Sequence, residues 1–211
     1  LDKKITTAKT ALDGYGREGL ITAFRSWNKA RLESSQETAK NPEWVILSPD
    51  SLISKGGATF TAQPDGSHLA GGKNPALDTY TFTAPAPADN LRAIKLEALA
   101  DPSMNRGGPG RAKNGNIALS DLKLSCGGRP LKLSNPRATF QQGGLPIAAT
   151  IDNNAKSAWA LDPQFGKDHA AIFELTNPSD CKAGQKLVFT LTFGNNTGHN
   201  IGRLRLSVSS H

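Results

Sequence analysis

The sequence predicts a mainly β protein, an antiparallel β-sandwich preceded by a short helical segment. Three observations carry this. Apolar and polar residues alternate in many short runs, the period-2 pattern of strands with one buried face. Glycine (21) and proline (13) are abundant, as a turn-rich fold requires, and the hydrophobic fraction of 37% is too low for a helical bundle of this length. At 211 residues the chain is long enough to bury a proper core.

Residues 1–41 read as a helical segment and linker, and 42–211 as the sandwich. Ile5, Ala8 and Leu12 have helical spacing, as do Leu20, Phe24, Trp27 and Arg31. Gly14, Gly16 and Gly19 break the pattern, so two helices are expected. Trp27 is expected to pack its helix onto the sandwich or onto a neighbour. Trp44–Leu47 reads as a short strand and 48–57 as a loop. Ala58–Ala62 and His68–Ala70 form a hairpin around Pro64-Asp65-Gly66, a strong turn signal. Asp78–Thr83 alternates Tyr80 and Phe82 with threonines, and Arg92–Leu99 follows.

Asn116–Leu124 reads as the next strand. Ile117 and Leu119 have the opposite parity to Leu122 and Leu124, so a bulge is expected near Ser120 and Asp121. Ala138–Phe140, Ile147–Ile151 and Ala171–Leu175 are short strand candidates. Lys186–Phe193 is the clearest strand, and Arg203–Val208 the last. If sequential strands pair antiparallel, the turn at Pro64–Ser67 lies at one end. The connections 48–57, 71–78 and 100–115 then lie at the other, where sandwiches present binding loops. These loops hold Lys55, Lys73, Asn74, Asp78, Asp101, Arg106, Arg111 and Asn114.

The connection after Leu99 holds four glycines, two prolines, Arg106, Arg111, Lys113, Asn114 and Asn116. A loop this long usually has a function. Glycines let backbone approach a ligand, and arginine meets carboxylate or sulfate with two parallel bonds. Asp101, Arg111, Asn114 and Asn116, helped by Lys73 and Asn74, are the candidate carbohydrate-binding residues. Residues 95–137 contain eight basic and three acidic side chains, +5 of the chain's +7. Such an excess suits a charged polysaccharide, a nucleic acid or an anionic surface; the alternative is a solvated basic face. Nucleic acid is disfavoured because no pair of aromatics suggests a stacking platform.

Cys126 and Cys181 form neither CxxC nor CxxCH, which argues against zinc and against covalently attached haem in this segment. They form either a disulfide or two thiols in a reducing compartment; their positions beside turn residues favour the disulfide. No GxSxG, P-loop, dinucleotide fingerprint, HExxH or EF-hand loop occurs, and the four histidines are scattered, so no enzyme is expected. The turn IDNNAKSAW offers Asp152, Asn154 and Ser157 as oxygen ligands for calcium. The alternative is an Asx turn satisfying its own backbone. Trp159 is expected in the core. No apolar run is long enough to span a membrane.

The segments GGATFTAQPDGS, GKNPALDTYTF, LRAIKLEALADPS, GGPGRAKNGNIALSDLKL, IAATIDNNAKSAWA and IGRLRLSVS, in this order, resemble a domain of planctomycete cytochrome-c-type proteins. These are large, exported, multidomain proteins. The resemblance covers 42–211, with 1–34 similar to the helical stretch before that domain. It implies a galactose-binding-like (discoidin-like) jelly roll, exported to the periplasm or cell surface as part of a larger protein. The implied role is non-catalytic: holding the parent on polysaccharide or oligosaccharide, or docking its neighbouring domains. The IDNNAKSAW turn resembles the discoidin-type ADGxxxTxW, with Asn153 in place of glycine and Ser157 in place of threonine.

Overall fold

The computed structural model describes residues 2–14, 16, 19, 21–29, 43–176 and 181–210. The chain divides into two compact units, Leu1–Pro42 and Glu43–His211. In the first, α1 runs Asp2–Gly14, residue 16 is in a turn, and 21–29 are helical again. The interruption falls among the glycines that supply no side chain to stabilise a helix. Ile21, Phe24 and Trp27 are exposed, with the Phe24 and Trp27 rings 5.9 Å apart.

The second unit is an antiparallel β-sandwich. Its strands are β1 Val45–Ile46, β2 Ser51–Ser54, β3 Ala58–Ala62, β4 His68–Gly72, β5 Asp78–Pro85, β6 Ala93–Ala98, β7 Asp121–Cys126, β8 Arg129–Leu131, β9 Leu133–Ala138, β10 His169–Leu175, β11 Lys186–Phe193 and β12 Arg203–Ser209. One sheet has the order β3-β4-β12-β6-β10-β9, with β1 also on β12; the other is β2-β5-β11-β7-β8. All strand pairs are antiparallel.

Alternation explains the layering. Tyr80, Phe82, Leu187, Phe189, Leu191 and Phe193 point inward from the five-stranded sheet and meet Ile94, Leu96, Phe173, Leu204 and Leu206 of the other in one core. Tyr80 packs edge-on against Phe60 and Phe193 at 4.9 and 4.8 Å. Trp159 is fully buried and donates its indole N–H to the Phe140 carbonyl at 2.9 Å, as a buried indole requires. Cys126 and Cys181 are disulfide-bonded, with Cα atoms 5.7 Å apart and a sequence separation of 55. In the chain-entropy account a closed loop of this length contributes roughly 4 kcal/mol.

Four sequence expectations need correcting. The 48–57 loop contains the edge strand β2, whose four residues are too few to show a period. Ile147–Ile151 is a 3-10 helix rather than a strand, burying Ile147, Ala149 and Thr150, with the Thr150 hydroxyl donating to the Ile147 carbonyl. No bulge lies near Ser120 and Asp121. Residues 116–120 are buried all round, bridging Trp159 through Leu119 and donating to His199 and Thr192 carbonyls before β7 begins in unbroken register with β11. The parity change marks a change of partners. Finally, of the strand expected at Ala138–Phe140 only Ala138 is in one: β9 runs Leu133–Ala138 and ends there, and it and β8 are strands despite Pro136 and Pro130, both on outer strands that tolerate a missing donor.

The registers place the connections. Residues 55–57, 73–77, 99–120, 139–168 and 194–202 all leave the sandwich at one end. The turn at 63–67 and the connections 86–92 and 176–185 lie toward the other, and so do residues 48–50, because β2 carries the chain back along the sheet.

Candidate functional site

The residues nominated from sequence do gather at the loop end, but most of their polar groups are turned on one another. The Arg111 guanidinium donates to the carbonyls of Lys73 at 2.6 Å, Gly72 at 2.8 Å and Gly71 at 3.1 Å. These are the last carbonyls of β4 and the first beyond it. Asn74 donates to the carbonyls of Arg111 and Gly198 at 3.0 and 3.1 Å and accepts from the Asn200 amide at 2.8 Å. The Arg111 N–H donates to the Asn200 carbonyl at 2.9 Å. Arg111, Asn74 and Asn200 thus lock three connections together. Beneath them the Tyr80 hydroxyl donates to Ile201 at 3.1 Å, and burial pushes its pKa well up.

Asn116 is buried: its amide donates to Gln142, and its carbonyl oxygen accepts from Ile117 and Leu161 at 2.9 and 2.8 Å. The Asn114 oxygen accepts from the Asn116 N–H at 3.1 Å, closing a turn. Asp101 accepts from Ser103 and pairs with Arg203 at 3.4 Å. The Ser103 hydroxyl, aided by its N–H and the Arg203 charge, holds the Asp101 carboxyl below its ordinary range. Gly110 has a structural reason: a Cβ there would overlap the Asn116 carbonyl oxygen. Gly115 likewise faces the Asn105 carbonyl oxygen, so these two glycines admit the chain's own backbone. Of the nominated set, Lys73 alone combines an exposed position with a side chain that these bonds do not use; its carbonyl serves Arg111.

The proposed calcium residues form a closed turn. The Asp152 carboxylate accepts from the Asn154 N–H at 2.8 Å and from the Ser157 hydroxyl at 2.8 Å, and the Asn154 oxygen accepts from Lys156 at 3.1 Å. This is the Asx-turn arrangement, and a cation there would have to displace these bonds. Among the described residues no group of three or more His, Cys, Asp or Glu side chains gathers.

The loop end also carries a concavity of about 370 Å³, lined by Lys55, Leu77, Asp78, Thr79, Thr192 and Phe193 among others. The Asp78 carboxylate is buried and builds its wall: it accepts from Ser54 at 2.6 Å, Gly56 at 2.8 Å and Thr79 at 2.7 Å. The Lys55 N–H is pinned to the Thr79 carbonyl at 3.0 Å, while its side chain is exposed. Leu77 is 55% exposed beside it. Lys73 adjoins, its stem within reach of Gly57. The pocket therefore presents an ammonium, two threonine hydroxyls and an apolar side chain on a frame with little freedom to relax. Sequence reading named Lys55 and Asp78 as loop residues but passed over Thr79 and Thr192. Their signal was the outward half of the TYTF and TLTF alternations.

No family model and no curated protein matches the chain. Among solved structures, a family 35 carbohydrate binding module from Clostridium thermocellum is 11% identical, covering 78% of this chain and 97% of that one, with a TM-score of 0.34. A likeness this slight carries no weight for function.

Proposed function

We propose that this chain is a non-catalytic carbohydrate-binding module of a larger exported protein, taking an acidic polysaccharide at the loop end. The observation that carries the reading is the loop-end pocket. Lys55 is placed to meet a carboxylate or sulfate, Thr79 and Thr192 to exchange hydrogen bonds with sugar hydroxyls, and Leu77 to cover the C–H face of a ring. The lock formed by Arg111, Asn74 and Asn200 supports it by holding the connections before ligand arrives, so little ordering is lost on binding. The disulfide supports an oxidising, extracytoplasmic destination.

A glycan array of neutral, carboxylated and sulfated polymers tests the reading. Acidic polymers should be retained and neutral ones not, and Lys55→Ala should weaken retention about tenfold or more, as for loss of one charged hydrogen bond. Retention unaffected by Lys55→Ala would remove the pocket from the account. A second reading, an interaction domain docking neighbours within the parent protein, is favoured by the exposed Ile21 and Phe24 on helix 21–29. It predicts that no glycan is retained.

A further inference from the structure

The outward face of the five-stranded sheet carries a second concavity, about 510 Å³, lined among others by Asp121, Lys123, Thr190, Val188, Pro130 and Asn153. Strand register shows how it relates to the first. Thr192 lines the loop-end pocket and stands directly opposite Asp121, which lines the groove. Thr190 lies two residues along the same face of β11, opposite Lys123. One inter-strand spacing, about 4.8 Å, separates the borders of the two concavities. From Thr79 on β5, across β11 and β7, to Pro130 on β8 is three spacings across the strands, roughly 14 Å, and four residues along β7, from Asp121 to Ser125, roughly 13 Å.

The chemistry changes along this path. In the loop-end pocket the lining cation is the exposed Lys55. In the groove, Lys123 is paired with Asp121 at 3.0 Å, so the pair is neutral and offers a donor and an acceptor side by side. Thr190 and Asn153 each add a donor and an acceptor, and Val188 and Pro130 add apolar surface. The exposed Lys132 lines the groove as well, so the surface suits sugar hydroxyls and C–H faces and offers a second cation to a further acid group.

Resting on the acidic-polysaccharide reading above, we propose that the two concavities are one tract. It takes a linear acidic oligosaccharide lengthwise, with one acid group at Lys55 and the following units laid across β11 and β7. The module then recognises the interior of a chain, not a single acid sugar.

Titration with oligogalacturonides of two and six sugar units tests this on the intact chain. The hexamer should bind about tenfold tighter than the dimer, the worth of one or two added hydrogen bonds. Thr190→Val with Asn153→Gly should abolish that advantage while leaving dimer affinity and the melting transition unchanged. The first substitution keeps side-chain shape; the second suits the positive φ of Asn153, 60°. A hexamer that binds no tighter than the dimer overturns the tract and leaves the loop-end pocket standing. An advantage that survives the double substitution also overturns the tract. Failure of both oligomers to bind overturns the pocket and the tract together.

Discussion

At the scale of single residues, the argument turns on what a side chain's donors are already doing. Arg111 was legible as important from its place in a long Gly/Pro loop, but sequence could not say that three backbone carbonyls take its guanidinium. Those carbonyls belong to residues 71–73, some forty positions earlier. Arg111→Ala leaves them without donors and should cost about 2–4 kcal/mol, lowering the melting temperature by on the order of 10 °C. Arg111→Lys should recover part of this, since an ammonium cannot reproduce the planar fork. A melting temperature unchanged in Arg111→Ala would return this arginine to the list of ligand-binding candidates.

A second cluster, on β12, sets an acid limit. Arg203 pairs with Asp65 at 2.9 Å, and Arg205 holds Glu97 with two bonds of 2.8 and 2.9 Å. The Ser67 hydroxyl, with the Ser67 N–H and Arg203, holds Asp65 down to about 2. Burial pushes Glu97 up, but Arg205 and Lys95 outweigh it and keep it below the usual range. Groups held low in the folded state contribute fully above their unfolded values near 4, and that contribution is lost as pH falls toward 2. The melting temperature should therefore drop between pH 4 and 2. The Asp65 side chain is 39% exposed, so salt should blunt its share. The destabilisation caused by Asp65→Asn should be present at pH 7 and vanish near pH 2; a difference independent of pH would contradict the assignment.

At the scale of elements, β11 was read to the residue, and β5, β6, β10 and β12 within two residues at each end, because each alternates over six to eight positions. The misreadings share a cause. β2, residues 116–120 and the 147–151 helix are short and buried or held by partners distant in sequence, so no period declares them. In the IDNNAKSAW turn, residue type does not say which partners an oxygen already has. Asp152, Asn154 and Ser157 suit calcium by type, but the Asp152 and Asn154 oxygens accept from the turn's own N–H groups, and the Ser157 hydroxyl donates to the Asp152 carboxylate. Excess chelator should leave the melting transition in place. A fall would assign calcium to this turn, since a ligand held only by the folded state stabilises it.

For the molecule as a whole, part of the basic charge of residues 95–137 already has acidic or aromatic partners. Lys95 meets Glu97, Lys123 meets Asp121, Arg137 meets Glu174, and Arg106 lies 4.4 Å over the Phe165 ring. Exposed charge remains at Lys113, Arg129 and Lys132, and at the loop end on Lys55 and Lys73. The gathering of loops at one end followed from counting antiparallel strands, and it survived the missed β2 because the other connections kept their parity. The pocket did not follow from counting, because its walls come from β5 and β11 as well as from loops. The most direct measurement is calorimetric titration of the intact chain with polygalacturonate and with a neutral galactan, at low and at high salt. Binding to polygalacturonate that weakens as salt rises, with none to the galactan, is the result expected of a pocket led by Lys55. Equal binding to both polymers, or no binding to the acidic one at low salt, would contradict it.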